Sequence, residues 1–320
     1  MHMAVPVTRH FTKRVQQQHI KYWQPHTSQS IFNNQNSNTH CIISKKKKMK
    51  VNTLSTISLL TLFQPLTAWS SYSSYSTRGR FSSASVLHAY STQTTGEAKT
   101  ESFRIQFKNE AGTHISPWHD IPLKGSKGGY NMVVEIPKMT KAKMEVATKE
   151  QLNPIAQDVK KGKLRDYHGP IFWNYGCLPQ TWENPKEEHP VLKCFGDNDP
   201  IDVVEIGSQA LSMGSVVEVK PLGVIAMIDD GELDWKVLAI SMEDPLASTY
   251  KDIHDVPEAV KAGIREWFRW YKTPDDKPLN AFGFDEKYLD AKEAEHVIHE
   301  THEAWKKLKS GAIEKGKLWL

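Results

Sequence analysis

No aspartate or glutamate occurs before Glu97, although the 320-residue chain holds 37 of them. The first 96 residues carry 11 Lys and Arg that no acid opposes. Beyond them, 30 basic residues face 37 acidic ones, a formal net charge of −7, so the pI near 8.7 describes the leader rather than the body. An acidic body argues against nucleic-acid binding, which relies on a basic surface to neutralise phosphates. Cysteine is nearly missing: only Cys177 and Cys194 follow the leader's Cys41. That excludes a disulfide framework and a thiolate zinc site. There is no Gly-rich nucleotide loop of either the P-loop or the Rossmann form, and no internal repeat. Long apolar runs are lacking too. Thr56 to Ala68 is interrupted by Pro65 and is too short and polar to span a bilayer, so no stable membrane association is expected of the mature form.

Acids, where they occur, are clustered. Cys194-Phe-Gly-Asp-Asn-Asp-Pro-Ile-Asp-Val-Val-Glu-Ile-Gly207 sets Asp197, Asp199 and Asp202 against an apolar strand. On an extended chain Asp197 and Asp199 share a face, and the bend imposed by Pro200 can bring Asp202 to the same cavity. Hard divalent cations such as Mg²⁺ take oxygen ligands of this kind. A calcium EF-hand loop is excluded, because its fifth and sixth positions would be Ile201 and Asp202 instead of an acid and a Gly. An aspartyl-phosphate phosphatase fits weakly, since here the strand follows the acids instead of preceding them. The plain alternative is a solvated acidic turn.

Two further patterns weigh against that alternative. Leu222 to Leu238 reads as two apolar strands around Asp229-Asp230-Gly231-Glu232, a hairpin signal that sets Asp229 and Asp234 on opposing strands, with Lys236 on the face of Asp234. In Tyr130-Asn-Met-Val-Val-Glu135-Ile-Pro a lone carboxylate interrupts an apolar run, which is costly without a partner. Lys143 and Glu145 follow on one strand face. Near the end, Val260, Ile264, Trp267, Phe268 and Tyr271 fall at helical spacing, as do Ala294, Ile298, Thr301, Trp305 and Leu308. Both sets read as core, Tyr271 excepted. His296, His299 and His302 drift around the last helix and make no ligand set.

Six motifs in one order carry a resemblance. They are Val133-Val-Glu-Ile-Pro137, Lys160-Lys-Gly-Lys-Leu-Arg165, Trp173-Asn-Tyr-Gly176, Asp197-x-Asp-Pro-x-Asp202, Asp234-Trp-Lys236 and Trp267-Phe-Arg-Trp-Tyr-Lys272. Residues 103 to about 309 resemble a soluble family I inorganic pyrophosphatase of the eukaryotic or plastid type. The resemblance implies a mainly β fold with α, namely a closed five-stranded OB-like β-barrel with external strands and two C-terminal helices. It implies hydrolysis of pyrophosphate to two orthophosphates by a metal-bound hydroxide, with roughly three to four Mg²⁺ ions per site and Mn²⁺ or Zn²⁺ as substitutes. Asp197, Asp202 and Asp234 would bind the activating metal, and Asp229 and Glu145 the ions that travel with substrate. Asp199 would orient the water and take its proton. Lys143, Arg165, Tyr175, Tyr271 and Lys272 would grip phosphate oxygens, with Glu135, Glu232 and Lys236 as supporting charges. The expected assembly is a monomer or homodimer.

One departure concerns the proton donor. Yeast-like members carry a Tyr four residues before the Tyr matching Tyr175, where this chain has Ile171 after a short Asp166-Tyr-His-Gly-Pro170 segment. A metal-bound water or Tyr167 would then supply the proton. This departure is also the one support for a rival reading, an OB-like binding module that kept the scaffold and lost turnover.

The expected division is a disordered leader at 1–96 and a pyrophosphatase domain at 97–320. Within the leader, 1–48 reads as upstream sequence, 49–68 as a signal peptide and 69–96, rich in Ser, Thr and Tyr, as a transit peptide. A signal peptide followed by a transit segment opening on Trp69 resembles the bipartite leaders of algae with complex plastids. Plastid stroma is the expected location, and the mitochondrial matrix is the alternative.

Overall fold

A computed structural model describes residues 90–320. The upstream and signal segments expected at 1–48 and 49–68, and the transit segment up to residue 89, lie outside the described residues. The strands, in chain order, are β1 (Tyr90–Thr95), β2 (Arg104–Asn109), β3 (His114–Ile115), β4 (Tyr130–Ile136), β5 (Met144–Val146), β6 (Ile155–Gln157), β7 (Val159–Lys160) and β8 (Lys163–Leu164). Then come β9 (Asn174–Cys177), β10 (Phe195–Gly196), β11 (Asp202–Glu205), β12 (Val216–Asp229), β13 (Glu232–Ser241) and β14 (Ala281–Phe282). Two helices, α1 (Glu258–Trp270) and α2 (Ala291–Lys309), fall where the helical spacing placed them. The fold is mainly β with few helices. No helix among the described residues is long and apolar enough to cross a membrane.

The first sheet runs β1-β2-β6-β5, with β3 on β2. Tyr90–Thr95, expected within the leader, forms a strand that pairs antiparallel with Arg104–Asn109 along all six residues. The second sheet runs β10-β13-β11-β9-β4-β12-β14, and β12 also pairs with β13. Following the pairings from β13 through β11, β9, β4 and β12 leads back to β13. These strands are apolar on both faces, and the period of two divides their side chains. Val203, Val224, Ala226, Val237 and Ala239 join an apolar cluster with Ala294, Val297 and Ile298 of α2. Their neighbours Val204, Ile225, Met227, Leu238 and Ile240 join the cluster holding Ile264 and Phe268 of α1. Val260, expected in the core, is 38% exposed: it continues the Ile264 and Phe268 stripe one turn back, but in the first turn of α1, at the end of the helix.

Two local features set the site. Asp230 and Gly231 have φ of 50° and 95°, which suits the two-residue hairpin turn that matches strand twist, and Asp229 pairs with Glu232 across it. At Gly176 on β9 a Cβ would sit 1.9 Å from the Val133 carbonyl oxygen. Only glycine lets β4 pass this close, beside the register shift between Val134 and Ile136 that flanks Glu135.

Candidate active site

A cleft of about 530 Å³ gathers side chains from β4, β5, β9, β11, β12, β13 and the end of α1. The loop between β10 and β11 carries Asp197 and Asp199. It is shaped by Asn198, whose φ of 76° is left-handed, and by the Asp199 amide, which donates to the Asp197 carboxylate at 3.0 Å. Pro200 follows, and Asp202 opens β11 into the same cleft, as the bend predicted. Glu135, Lys143, Glu145, Arg165, Tyr167, Tyr175, Asp229, Asp234, Lys236, Tyr271 and Lys272 line it too. Glu232 does not. It is exposed at the tip of the hairpin, away from the cleft that the other expected residues line.

Acids and bases interleave. Lys236, 1% exposed, donates to both Asp202 and Asp234, which offsets the cost of burying an ammonium. Tyr175 Oη donates to Asp202. Lys143 Nζ donates to Glu145 at 2.6 Å and to Asp158 at 3.3 Å, and Arg165 also bonds Asp158. Asp229 accepts from Tyr271 Oη at 3.0 Å and from Lys272 Nζ. Every expected phosphate-gripping group therefore rests on or beside a carboxylate. Glu135 is buried and accepts the Val146 amide at 2.7 Å, which supplies the partner that its apolar run demanded.

The crowding shifts the acids' protonation. Burial first, then the charge of Asp234, Asp199 and Asp202, raises the Asp197 carboxyl well above the usual carboxylate range. Burial pushes Asp234 up to about 6, with Lys236 pulling the other way. Asp199 reaches about 6 through burial and then Glu145, although one side of it meets solvent. Eleven carboxylates and seven Lys or Arg side chains line the cleft, an excess of negative charge that invites cations.

Residues 132–306 match the family described as inorganic pyrophosphatase. This chain belongs to that family. A chloroplastic soluble inorganic pyrophosphatase of Arabidopsis thaliana is 50% identical over 232 residues, covering 71% of this chain and 77% of the relative. One from Chlamydomonas reinhardtii, also chloroplastic, is 52% identical over 233 residues, 72% of this chain and 83% of the relative. The crystal structure of a type I inorganic pyrophosphatase from Toxoplasma gondii superposes with a TM-score of 0.66 at 48% identity, covering 68% of this chain and 99% of that one.

In this pyrophosphatase-family chain Ile171 is fully buried, with its carbonyl accepting the Met139 amide, so position 171 offers the cleft no hydroxyl. Tyr167 lies in the cleft wall against Trp267 and Tyr271, with ring centroids 4.9 Å and 5.8 Å away. Two acids escaped the sequence. Asp158, the shared partner of Lys143 and Arg165, sits alone between two short strands. Glu183, in Gln180-Thr-Trp-Glu-Asn-Pro185, has no neighbouring acid to mark it.

Proposed function

We propose that the chain hydrolyses inorganic pyrophosphate to two orthophosphates in an Mg²⁺-dependent reaction that pulls biosynthetic steps forward. The observation that carries this reading is one cleft in which each phosphate-gripping group already rests on or beside an acid. Pyrophosphate with bound Mg²⁺ carries both signs, so it can take the place of both partners at once. The donor set suits a hard cation: the ligand candidates are all carboxylates, and they outnumber the bases. Asp197, Asp202 and Asp234 would hold the activating ion. Asp229 and Glu145 would hold those arriving with substrate, roughly three to four in all, with Mn²⁺ or Zn²⁺ as substitutes. When bound, Mg²⁺ supplies positive charge to the substrate and lowers the pKa of water.

The protein's part is positional. Lys143, Arg165, Tyr175, Tyr271 and Lys272 take phosphate oxygens, Arg165 through its planar fork. Asp199, near the solvent side, accepts the proton of the attacking water, and its carboxyl at about 6 suits a base working near neutrality. Tyr167 donates a proton to the leaving phosphate. Lys236 fixes Asp202 and Asp234, and Glu135 is a supporting charge anchored on the Val146 amide. The rival binding-module reading gains nothing from the cleft, where the whole acid set converges. The ring of strand pairings supports a closed OB-type barrel beneath the site. The decisive test is phosphate release from pyrophosphate with and without Mg²⁺. Asp199→Asn is expected to lower turnover about 10²–10⁴-fold, and Mg²⁺-independent release would defeat the proposal.

Chloroplastic relatives and the acid-free leader support a plastid location. Removing residues 49–68 from a fluorescently tagged chain is expected to block plastid entry. Plastid fluorescence that persists would refute a bipartite leader.

A further inference from the structure

Behind Asp197 and Asp234 stands a carboxylate that the reaction outlined above leaves unused. Glu183 is 3% exposed and does not line the main cleft. One of its carboxylate oxygens lies within 4.8 Å of oxygens from both Asp197 and Asp234. Its Oε1 accepts the Trp235 amide at 2.9 Å, whereas its buried Oε2 has no hydrogen-bond partner among the described residues. A buried carboxylate oxygen left without a donor is costly, and the same carboxylate has two more acids as near neighbours. Lys236, the closest compensating charge, is already held by Asp202 and Asp234.

The backbone keeps Glu183 in place. Its amide donates to the Asp199 carbonyl at 2.9 Å and its carbonyl accepts the Asn198 amide at 3.0 Å. Gly196 permits this approach, since a Cβ there would come within 2.5 Å of the Glu183 carbonyl carbon. The segment around Glu183 is thus laced to the loop that presents Asp197. A rigidly held carboxylate that lies beside two acids and keeps one oxygen without a donor suits a hard divalent cation among the three.

We propose that Glu183 is a ligand of the cation held by Asp197 and Asp234, giving it an oxygen from the interior side of the site. This rests on the metal-binding role proposed for those two aspartates. The test is Mn²⁺ binding to the full chain without substrate, followed by the electron paramagnetic resonance of free Mn²⁺. Asp197→Asn serves as the control. Glu183→Gln keeps an acceptor for the Trp235 amide and removes the charge, and it is expected to weaken the tightest site about 10–100-fold. It should also melt no lower than the parent without metal, because it relieves repulsion. Parent-like Mn²⁺ binding in Glu183→Gln, with weakened binding in Asp197→Asn, would overturn the role of Glu183 alone. Unchanged binding in both would overturn the metal assignment beneath it. Should Glu183→Gln fail to fold, Glu183→Asp keeps the charge but withdraws the oxygen by one methylene. Weakened binding there supports the ligand role, and undiminished binding refutes it.

Discussion

The proton-donor role proposed for Tyr167, with a metal-bound water as its alternative, is decided at a single hydroxyl. Burial pushes its hydroxyl up to about 12, against the pull of Lys143 and Lys236, so it keeps its proton at neutral pH and can donate it. Phenylalanine preserves the edge contacts with Trp267 and Tyr271 while removing that proton. Tyr167→Phe is therefore expected to lower kcat about 10²-fold with little change in KM or melting temperature. A parent-like kcat and pH profile would hand the donation to water. Residue-level legibility followed company. Asp197, Asp199 and Asp202 announce themselves because three acids in six residues have few other uses. Glu183 was invisible because its acidic neighbours come from β13 and from the loop before β11, not from its own segment. Glu232 shows the reverse: it sits among acids in sequence, but the turn carries it into solvent.

Elements were legible where their pattern was self-sufficient. The Asp230-Gly231 turn fixes its hairpin by its own φ requirement, and α2 shows its buried stripe at helical spacing. β1 had no such signal. Tyr90-Ser-Thr-Gln-Thr-Thr95 is polar and mostly exposed, so its composition matches that of the leader before it. Its strand character comes only from the β2 edge it covers. The cyclic order of the second sheet was equally silent, since period-two patterns say which residues are buried but not which strands meet. A chain starting at Glu97 uncovers the β2 ladder. Compared with one starting at Tyr90, it is expected to lose on the order of 1 kcal/mol, a fall of about 2–4 °C in melting temperature. It should also aggregate more readily through the free edge. Parent-like melting would make β1 an ornament of the sheet. Turnover should survive, because no residue of β1 lines the cleft.

For the whole molecule, pH acts on stability through two opposed sets of groups. Burial lowers His119, packed between Trp118 and Trp305, to about 4 from an ordinary value of 6.5. Between those values the unfolded chain binds a proton that the folded chain refuses, so this group adds about 3 kcal/mol as pH rises from 4 to 6.5. The difference in unfolding free energy between the parent and His119→Gln should change across that window and be flat above it. The cleft acids act in the other direction. Asp234, buried and raised to about 6, holds a proton in the folded state that the unfolded chain has already released, so its contribution is present at low pH and lost as pH climbs through 6. The further-raised Asp197 and Glu135 extend that loss above 6. A metal-free chain should thus melt lower at pH 8 than at pH 6. Cations need the ionised acids, so they bind best where the empty site is least stable. At about 100 times its dissociation constant, Mg²⁺ would restore nearly 3 kcal/mol, roughly 5–10 °C, at pH 8 and clearly less at pH 5.5. A Mg²⁺-induced rise that did not vary with pH would mean that the buried acids of the cleft are not what holds the ion.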